Sequence, residues 1–514
     1  MPLDFSYAVA YGPHLLIFAC LLTVCALKLW NRYSSRKSLP PSPPQHFIWG
    51  NRDLMSKPHL EVALSRGHGD ILTLVTPTET VVVLNTIEAA TEILEKQSAA
   101  TANRPSNVMA NQIMGWGKTL TFSQHDQRHR RLRRVIGSAL NATAVKAYIA
   151  QQEETTALLL RSIALNPGGF LKDIHQSVIS LIMEIAYGYT VVENDPFLEV
   201  TQQAMRYLTM GTMSHFWVNW FPILRYIPSW FPGAGFQRRG QNGRALREKY
   251  TQIPFQAVVD SLSNGHTIVP SFTSRMLTEK GPYDESREDA ELVKTAAAAF
   301  FLAGTTTTSS FIASFTLAMA LYPELAKRAQ KEIDERVPVG QLPSLEERES
   351  LPYVNAFMQE ATRMYPPVPL GIPHQATEDV TYQGYRIPKG TVIRSNIWAM
   401  LHDECIYTNP HTFNPNRFLG NNPAPDPRKY VFGFGRRSCP GLHLANNGTW
   451  LTAAGLLWAF DVSASAELEN RVAELGGRDS RDLYRLFEPR GVSIGPLPFK
   501  CNIQSRQPDI PNAV

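Results

Sequence analysis

Apolar side chains recur at helical spacing along most of this chain. Together with helix-ending prolines, the pattern predicts helices over 126–140, 144–163, 173–187, 196–213, 241–262, 284–322 and 323–336. Residues 71–84 instead alternate β-branched and polar side chains around Pro77, and strand-like pieces follow at 380–392 and 491–503. The predicted fold class is therefore mainly α with minor β.

The segment 285–322 is the longest helical candidate and is apolar around most of its circumference. Pro323 ends it, because proline cannot donate the N–H that a continuing helix needs. A membrane span is the alternative, but Gly304 and the threonines that follow make a poor lipid-facing surface. We predict a buried helix that crosses the core.

The N-terminus carries the pattern of a membrane anchor. Residues 5–27 contain no formal charge, and a membrane helix needs roughly 20 apolar residues. A cleaved signal peptide is the alternative, but it would carry its basic residues before the apolar segment, and here they follow it. The positive-inside rule then places the remainder in the cytosol. The basic residues are Lys28, Arg32, Arg36 and Lys37.

These patterns divide the chain into three parts. Residues 1–37 form a single-pass membrane anchor with its basic flank, and residues 38–50 a proline-rich hinge, since proline-rich sequence acts as a stiff spacer. Residues 51–514 form one large globular body. With 44% hydrophobic and 18% charged residues among 514, the composition is that of an ordinary globular protein.

Charge and cysteine usage exclude several classes of function. The net charge is only +5 and no recognised nucleic-acid motif is present, so we expect no nucleic-acid partner. The cysteines are odd in number and lack a C-x-x-C pair, which predicts neither a disulfide framework nor a zinc site. They are Cys20, Cys25, Cys405, Cys439 and Cys501.

One cysteine lies in a distinctive local setting. Cys439 follows a glycine-rich loop that begins at Phe432 and leads through Gly441 into a helical pattern over 442–460. Backbone N–H groups at a helix start stabilise negative charge, so this position favours a thiolate over a thiol. A thiolate is a ligand that iron accepts.

This loop closely resembles that of the cytochrome P-450 superfamily, and the arrangement is similar to fungal secondary-metabolism members. The family pattern F-x-x-G-x-R-x-C-x-G is matched at each defining position, by Phe432, Gly435, Arg437, Cys439 and Gly441. The resemblance implies the P-450 fold, with a long central helix over haem b and small β-sheets behind an N-terminal transmembrane helix. It also implies that Cys439 is the axial ligand of the iron, with Phe432 and Gly441 beside the haem.

The resemblance further implies an activity and its partners. A member of this family inserts one oxygen atom from O2 into a small apolar secondary metabolite, and a terpenoid is the candidate substrate here. It takes electrons from NADPH through a flavoprotein reductase. The expected location is the endoplasmic reticulum membrane, with the catalytic body facing the cytosol.

A second motif lies in the long helix, where the family has A/G-G-x-D/E-T-T. Ala303, Gly304 and Thr307 match, and the resemblance gives them roles in forming the dioxygen groove and delivering protons. Thr306 occupies the position of the acid and cannot relay protons as a carboxylate would.

The third motif is an E-x-x-R pair formed by Glu360 and Arg363 on one helix face. In the family a later arginine completes a buried charge network, and Arg417 stands in that place. Asn416 replaces the acid that usually precedes this arginine. The expected role of the three charged residues is structural.

Haem propionates require cationic or hydrogen-bonding partners. The resemblance implies Arg437, His374 and Arg130 for this task. The family usually shows W-x-x-x-R in the early basic helix, and the register that uses Arg130 puts Asp126 in the tryptophan position. The same helix should border the surface on which the acidic reductase docks. Its basic residues are Arg128, Arg130, Arg131, Arg133 and Arg134.

Two other interpretations remain open at the level of sequence. A haem-thiolate isomerase or dehydratase that needs no reductase would fit the missing acid at Thr306, and a non-catalytic haem or ligand carrier would fit the binding motifs alone. Candidate pocket segments are equally compatible with an ordinary core. They are 109–116, 205–217, 300–307 and 368–372.

Overall fold

A computed structural model describes residues 38–47, 49–65, 69–76, 78–192, 195–212, 216–264, 269–279, 289–490, 492–507 and 510. The predicted membrane helix, and with it the whole segment 1–37, lies outside these ranges. Within them helices dominate and the sheets are small, which confirms the predicted class of mainly α with minor β.

Nine long helices form the described body. They are α1 (Gln127–Leu140), α2 (Ile149–Leu165), α3 (Phe170–Tyr187), α4 (Pro196–Thr212), α5 (Gly235–Ser263), α6 (Ala290–Leu321), α7 (Pro323–Arg336), α8 (Pro352–Met364) and α9 (Leu442–Ala459). Shorter α-helices connect them, at Arg52–Met55, Leu60–Leu64, Ile87–Ala90, Ser98–Thr101, Trp217–Trp220, Phe272–Thr278, Ile397–Leu401, Arg428–Val431 and Ala466–Glu474.

The strands are β1 (Ile71–Val75), β2 (Thr80–Leu84), β3 (His374–Gln375), β4 (Val380–Tyr382), β5 (Tyr385–Ile387), β6 (Val392–Ser395), β7 (Phe460–Ala464), β8 (Phe487–Arg490), β9 (Ser493–Pro496) and β10 (Cys501–Ser505). The largest sheet has the order β1-β2-β6-β3, with β2 and β6 parallel. The remaining strands pair in twos, as β10 with β7, β4 with β5 and β8 with β9. The strands β1, β2 and β6 bury their side chains in two smaller clusters that are separate from the main cluster formed by the long helices.

Helix α6 is the central element. It packs along α3 and is buried over most of its length, which confirms the predicted core helix from Ala290 onward. Among the described residues it is the one helix long and apolar enough to cross a membrane, but 67% of its most apolar window is buried in protein. Several of its buried hydroxyl groups donate to the carbonyl four residues earlier, as Thr305 does to Phe301 over 2.9 Å.

Helix α5 is longer than its sequence pattern predicts. The prediction begins at residue 241, whereas the helix begins at Gly235 and therefore also includes Gly240. A Cβ at Gly240 would lie 2.3 Å from Cγ2 of Ile113, and one at Gly243 would lie 3.0 Å from Cγ of Met114. Close packing of the segment 108–114 against α5 therefore requires these glycines within the helix.

The proline-rich segment contacts the first strand. The N–H of Thr73 donates to the carbonyl of Pro41 over 2.7 Å. The side-chain amide of Asn51 donates to the carbonyls of Pro43 and Pro44, and its oxygen accepts from the N–H of Val75. The described part of the predicted hinge is thus tied to the body.

Candidate functional site

One cavity of about 420 Å³ lies between α6 and the loop that precedes α9. Ala303 and Thr307 line one side of it, and Cys439 with Gly441 lines another. The two motifs that sequence singled out, separated by more than a hundred residues, therefore face the same space. Phe432, Arg437 and His374 also line this cavity.

The cysteine loop is held by a glycine in a left-handed conformation. Gly435 has φ +54°, and a Cβ there would lie 2.2 Å from the carbonyl oxygen of Leu94, so no other residue fits. The N–H of Cys439 donates to the carbonyl of Phe432 over 2.7 Å, which closes the loop. Gly441 is the N-cap of α9, so the sulfur lies beside the start of that helix.

The surrounding protein by itself favours the neutral thiol of Cys439 over the thiolate. Burial raises its pKa above the ordinary value, and the N–H of Gly441 and the charge of Arg133 oppose this only in part. The expectation that the loop by itself favours the thiolate is therefore wrong, because desolvation outweighs the helix-start effect. A metal ion bound to the sulfur would reverse this balance, since coordination deprotonates a thiol outright.

Opposite the cysteine, α6 presents two residues four positions apart. Both line the cavity, and the hydroxyl of Thr307 donates to the carbonyl of Ala303 over 2.6 Å. Gly304 also lines the cavity, and a Cβ there would lie 2.9 Å from Cδ1 of Ile182 on α3. Gly304 thus allows α3 to approach α6 closely. Thr306 lines the cavity as well.

The cavity has a strongly cationic end. It is lined by three arginines, Arg104, Arg133 and Arg437. Burial is the largest cause of the lowered pKa of each guanidinium. The pKa of Arg437 falls to about 10, although Asp126 opposes the change. Within the described ranges, none of the three arginines lies within ion-pair distance of a carboxylate. An anionic group bound here would relieve their mutual repulsion.

Arg130 does not belong to this end of the cavity. It is exposed and does not line the cavity, whereas His129 is 1% exposed and lines it together with Arg133. The side chain of Asp126 caps α1 by accepting from the N–H of His129 over 2.8 Å, and His129, Leu132 and Ile136 are buried on the face that turns inward. In the W-x-x-x-R pattern, His129 therefore occupies the tryptophan position and Arg133 the arginine position. Both lie three residues after Asp126 and Arg130, which the sequence had assigned to these positions.

His129 has one free hydrogen-bonding atom. The guanidinium of Arg437 can only donate, and it lies 3.1 Å from Nδ1 of His129, so Nδ1 accepts and Nε2 carries the proton. Burial, followed by the charges of Arg437 and Arg133, lowers the pKa of this ring to about 3, so it is neutral. Nε2 is buried without a partner among the described residues. His129 thus offers an N–H donor, as an indole would.

His374 lies at the same end in a different state. Its Nδ1 donates to the carbonyl of Thr101 over 2.9 Å, and burial and the charge of Arg104 lower its pKa to about 3. The neutral ring can only accept at Nε2. It would donate to a carboxylate only as a cation, which a nearby negative charge would favour.

Glu360, Arg363 and Arg417 form a connected ion network. Both oxygens of Glu360 accept from Arg363, at 2.8 and 2.9 Å, and Oε1 lies 3.2 Å from Nε of Arg417. Glu360 and Arg363 have fully buried side chains, and that of Arg417 is 8% exposed. Asn416 is exposed and accepts from Arg328 over 2.9 Å, so its departure from the family pattern leaves these contacts intact.

The candidate pocket segments divide between cavity and core. Residues of 109–116 do not line the cavity; Met109 and Trp116 are fully buried against other elements. Met205, Leu208 and Phe300 do line it. Segment 368–372 contributes three residues, which are Val368, Gly371 and Ile372.

Sequence reasoning missed Arg104, His129 and Arg133. A signal for two of them was present, because Asp126 is a preferred N-cap residue and the apolar stripe then runs through Leu132 and Ile136. That stripe places His129 and Arg133 on the inward face. Arg104 has no such signal, since its guanidinium is held by the carbonyls of residues 372 and 373, far along the chain.

Together these residues fit a haem. The cavity offers an apolar space beside α6, a sulfur at its other wall, and a cationic end with the unpartnered N–H of His129. A flat apolar group with two carboxylates would satisfy each of these features at once.

Comparison with known proteins agrees with this arrangement. The sequence profile of the cytochrome P-450 family matches residues 40–474. Cytochrome P-450 monooxygenase 208 of Postia placenta is 34% identical, over 96% of this chain and 95% of its own length. Tryptamine 4-monooxygenase of Psilocybe cyanescens is 31% identical, over 97% of this chain and 99% of its own. Cytochrome P-450 monooxygenase claR of Ampulloclitocybe clavipes is 34% identical, over 94% and 90%.

The family carries haem iron with thiolate ligation, and its members similar to this chain are monooxygenases. The match extends over most of the chain and includes the cysteine loop, the central helix and the ion network. On this evidence the chain belongs to the cytochrome P-450 family and is a haem-thiolate monooxygenase.

Proposed function

We propose that Cys439 is the axial ligand of haem b, and that the enzyme oxidises a small, neutral, largely apolar metabolite. The observation that carries this is the position of Cys439 across one cavity from Ala303 and Thr307. When bound, the haem activates dioxygen, and its thiolate ligand favours O–O cleavage.

The cationic end would hold the two propionates. Arg133 and Arg437 supply charge, and His129 supplies a neutral N–H donor with no other partner among the described residues. His374 also lies here and would donate once protonated. Phe432 and Gly441 would lie beside the macrocycle, since both line the cavity next to the cysteine.

The polarity of the cavity supports a neutral substrate. In the described ranges no Asp or Glu lines it; of its arginines, Arg104, Arg133 and Arg437 form the cationic end, and Arg428 already pairs with Asp426. A buried ammonium group without a carboxylate partner would be costly. Side chains such as Ile182, Leu208 and Phe300 offer the apolar contacts that a terpenoid-like body needs.

Electrons would come from NADPH through a flavoprotein reductase. Arg130 and Arg134 on α1, and Arg436 in the cysteine loop, are exposed on elements that flank Cys439. An acidic reductase surface would be attracted to this cluster. Arg131 contributes less, because it pairs with Asp289 at 3.0 Å.

We also propose that the body rests on the endoplasmic reticulum membrane, facing the cytosol. An aromatic patch lies between α4 and α5, and its exposed side chains are Trp217, Phe221, Ile223, Tyr226, Trp230 and Phe231. The guanidinium of Arg52 lies 5.3 Å from the ring of Trp220 and 5.5 Å from that of Trp49, which places the N-terminal part of the body beside the patch. Aromatic side chains of this kind favour the membrane interface.

If the aromatic patch inserts, the chain without residues 1–37 should still bind liposomes. Replacing Trp217 and Trp230 together by serine should then weaken liposome binding at least about tenfold, because each loses a large apolar contact area. Val339 is 98% exposed outside the patch, so Val339→Ser is the matched control and should change nothing. Equal binding of all three proteins in flotation assays would contradict insertion.

The activity is tested with purified full-length protein, NADPH, a flavoprotein reductase, labelled dioxygen and a panel of neutral terpenoids. We expect products that carry one labelled oxygen atom and require both NADPH and the reductase. Conversion without either would instead support the isomerase or dehydratase that Thr306 motivates. No turnover, even with peroxide in place of NADPH, would favour a carrier.

A further inference from the structure

The aromatic patch lies in a part of the chain whose formal charges are all positive. Residues 200–247 contain six arginines but no aspartate, glutamate or lysine. They run from α4 through the patch into the first half of α5. Aromatic side chains favour any membrane interface, whether its lipids are charged or neutral, so the arginines call for a separate explanation.

Two arginines contact aromatic rings at or beside the patch. The guanidinium of Arg52 lies 5.3 Å from the ring of Trp220. That of Arg225 lies 4.7 Å from the ring of Tyr226, and it donates to the hydroxyl of the same residue. Both arginines are exposed, so their charges face solvent next to exposed apolar side chains.

Two further arginines approach the patch from α5. Arg238 donates to the carbonyl of Ser229 over 3.0 Å, in the loop that carries the patch. Arg244 donates to the carbonyl of Gln112 over 2.8 Å, and Arg225 donates to the side chain of the same glutamine, so Arg244 lies near Arg225. We name the four exposed arginines the arginine rim. They are Arg52, Arg225, Arg238 and Arg244.

The charge of the arginine rim is not balanced by acidic side chains. In the described ranges no carboxylate lies within ion-pair distance of any of the four guanidinium groups. Exposed cations elsewhere on the body are paired, as Lys96 is with Glu92 at 2.7 Å and Lys500 with Glu467 at 3.2 Å. The patch and the rim together are therefore an apolar surface with uncompensated positive charge beside it.

We propose that this surface binds anionic phospholipids, with the aromatic patch in the membrane interface and the arginine rim on the negative head groups. A guanidinium presents paired N–H donors that match a phosphate or a carboxylate. An arginine beside an anionic membrane favours binding by roughly fivefold, so the rim should favour it at least about tenfold over a neutral membrane. The inference rests on the proposed contact between the body and the membrane.

An acidic protein surface is the other partner that such a charge would attract. It would bury the large apolar side chains of the patch against carboxylates, which would lose hydration without gaining a partner. An anionic membrane instead offers negative head groups above a hydrocarbon layer, so it matches the rim and the patch together. The cytosolic leaflet, which the basic flank at 28–37 is predicted to adjoin, carries such lipids.

The test compares full-length holoprotein in nanodiscs of phosphatidylcholine alone and of equal parts phosphatidylcholine and phosphatidylserine. Hydrogen–deuterium exchange of the backbone amides in 216–240 reports contact of the patch with lipid, and it does not depend on turnover. We expect exchange at least about threefold slower with phosphatidylserine than without it. High salt should remove this difference, because it screens the arginines.

The variant combines Arg52→Gln, Arg225→Gln and Arg238→Gln, and it should exchange at one rate in both kinds of nanodisc. Lysine at the same three positions should retain most of the difference, because it keeps the charge. The matched control removes three exposed charges outside the patch, on α2, α3 and α7, and should behave as the wild type. It combines Arg161→Gln, Lys172→Gln and Arg336→Gln. A thiolate-type carbonyl spectrum in each protein shows that the haem site has formed.

Equal exchange of the wild type in both kinds of nanodisc would refute the lipid selectivity, as would a difference that survives in the glutamine variant. Exchange slowed by the reductase and not by phosphatidylserine would assign the rim to a protein partner instead. The protein with Trp217→Ser and Trp230→Ser tests the membrane contact separately. If it exchanges faster than the wild type in phosphatidylcholine, the contact stands whatever the lipid selectivity. If it matches the wild type in both kinds of nanodisc, the contact itself is refuted.

Discussion

Replacing Cys439 by serine is expected to abolish the thiolate-type spectrum of the ferrous carbonyl complex and to reduce oxygenation roughly 10³-fold or more, the scale for a group that the chemistry requires. A hydroxyl cannot replace the thiolate that supplies electron density to the iron. The serine variant should still fold, because the loop is closed by the backbone contact between residues 439 and 432 and by Gly435. Optical spectra and the labelled-dioxygen assay measure both effects.

The other described cysteines are the controls for this substitution. Cys405 is exposed, and Cys501 lies outside the cavity with its pKa raised to about 12 by burial. Serine at either position should leave the carbonyl spectrum unchanged. A wild-type protein with a histidine-like carbonyl spectrum, or an unchanged spectrum in Cys439→Ser, would show that another residue binds the iron.

Replacing Glu360 by glutamine is expected to lower the free energy of unfolding by about 3–5 kcal/mol, the usual cost of leaving buried charges without a partner. The change would remove the one carboxylate that meets both Arg363 and Arg417. It would also weaken the bond from the N–H of Asn414 to Oε1, which is 2.8 Å long. We expect poor haem incorporation as well, since this network joins α8 to the chain that leads to the cysteine loop.

The matched control is Asp379→Asn. Asp379 also pairs with an arginine, Arg386, but both side chains are largely exposed. Surface pairs contribute little, because water screens them and the side chains lose entropy when paired. Denaturant unfolding of holoprotein should therefore separate the two variants clearly. Equal stability of Glu360→Gln and the wild type would show that the network is not a determinant of the fold.

Local sequence signals were sufficient where an element depends on its own residues. The bounds of α7 agree with the prediction, since Pro323 opens it and a polar pattern runs to Arg336. The strands β1 and β2 both fall within the segment 71–84 that was predicted to be strand-like. The cysteine loop was identified because its glycines and its cysteine are adjacent in sequence.

The prediction failed where distant residues decide the outcome. The predicted start of α5 excludes Gly240, whose place in the helix is explained by the close packing of Ile113 against it. The Arg130 register relied on the order of basic residues, whereas the burial of Leu132 and Ile136 against the core places His129 on the inward face of α1. The pKa of Cys439 also depends on burial, which a local pattern does not report.

The sequence by itself determined the family, the cysteine that faces the cavity, and the residues of the ion network. Each of these is identified by a short motif of residues that are close together in the chain. Only the tertiary structure decided which cations meet at one end of the cavity, which face of α1 turns inward, and which arginines adjoin the aromatic patch. Those features arise from contacts between segments far apart in the chain, and close packing, not local preference, sets them.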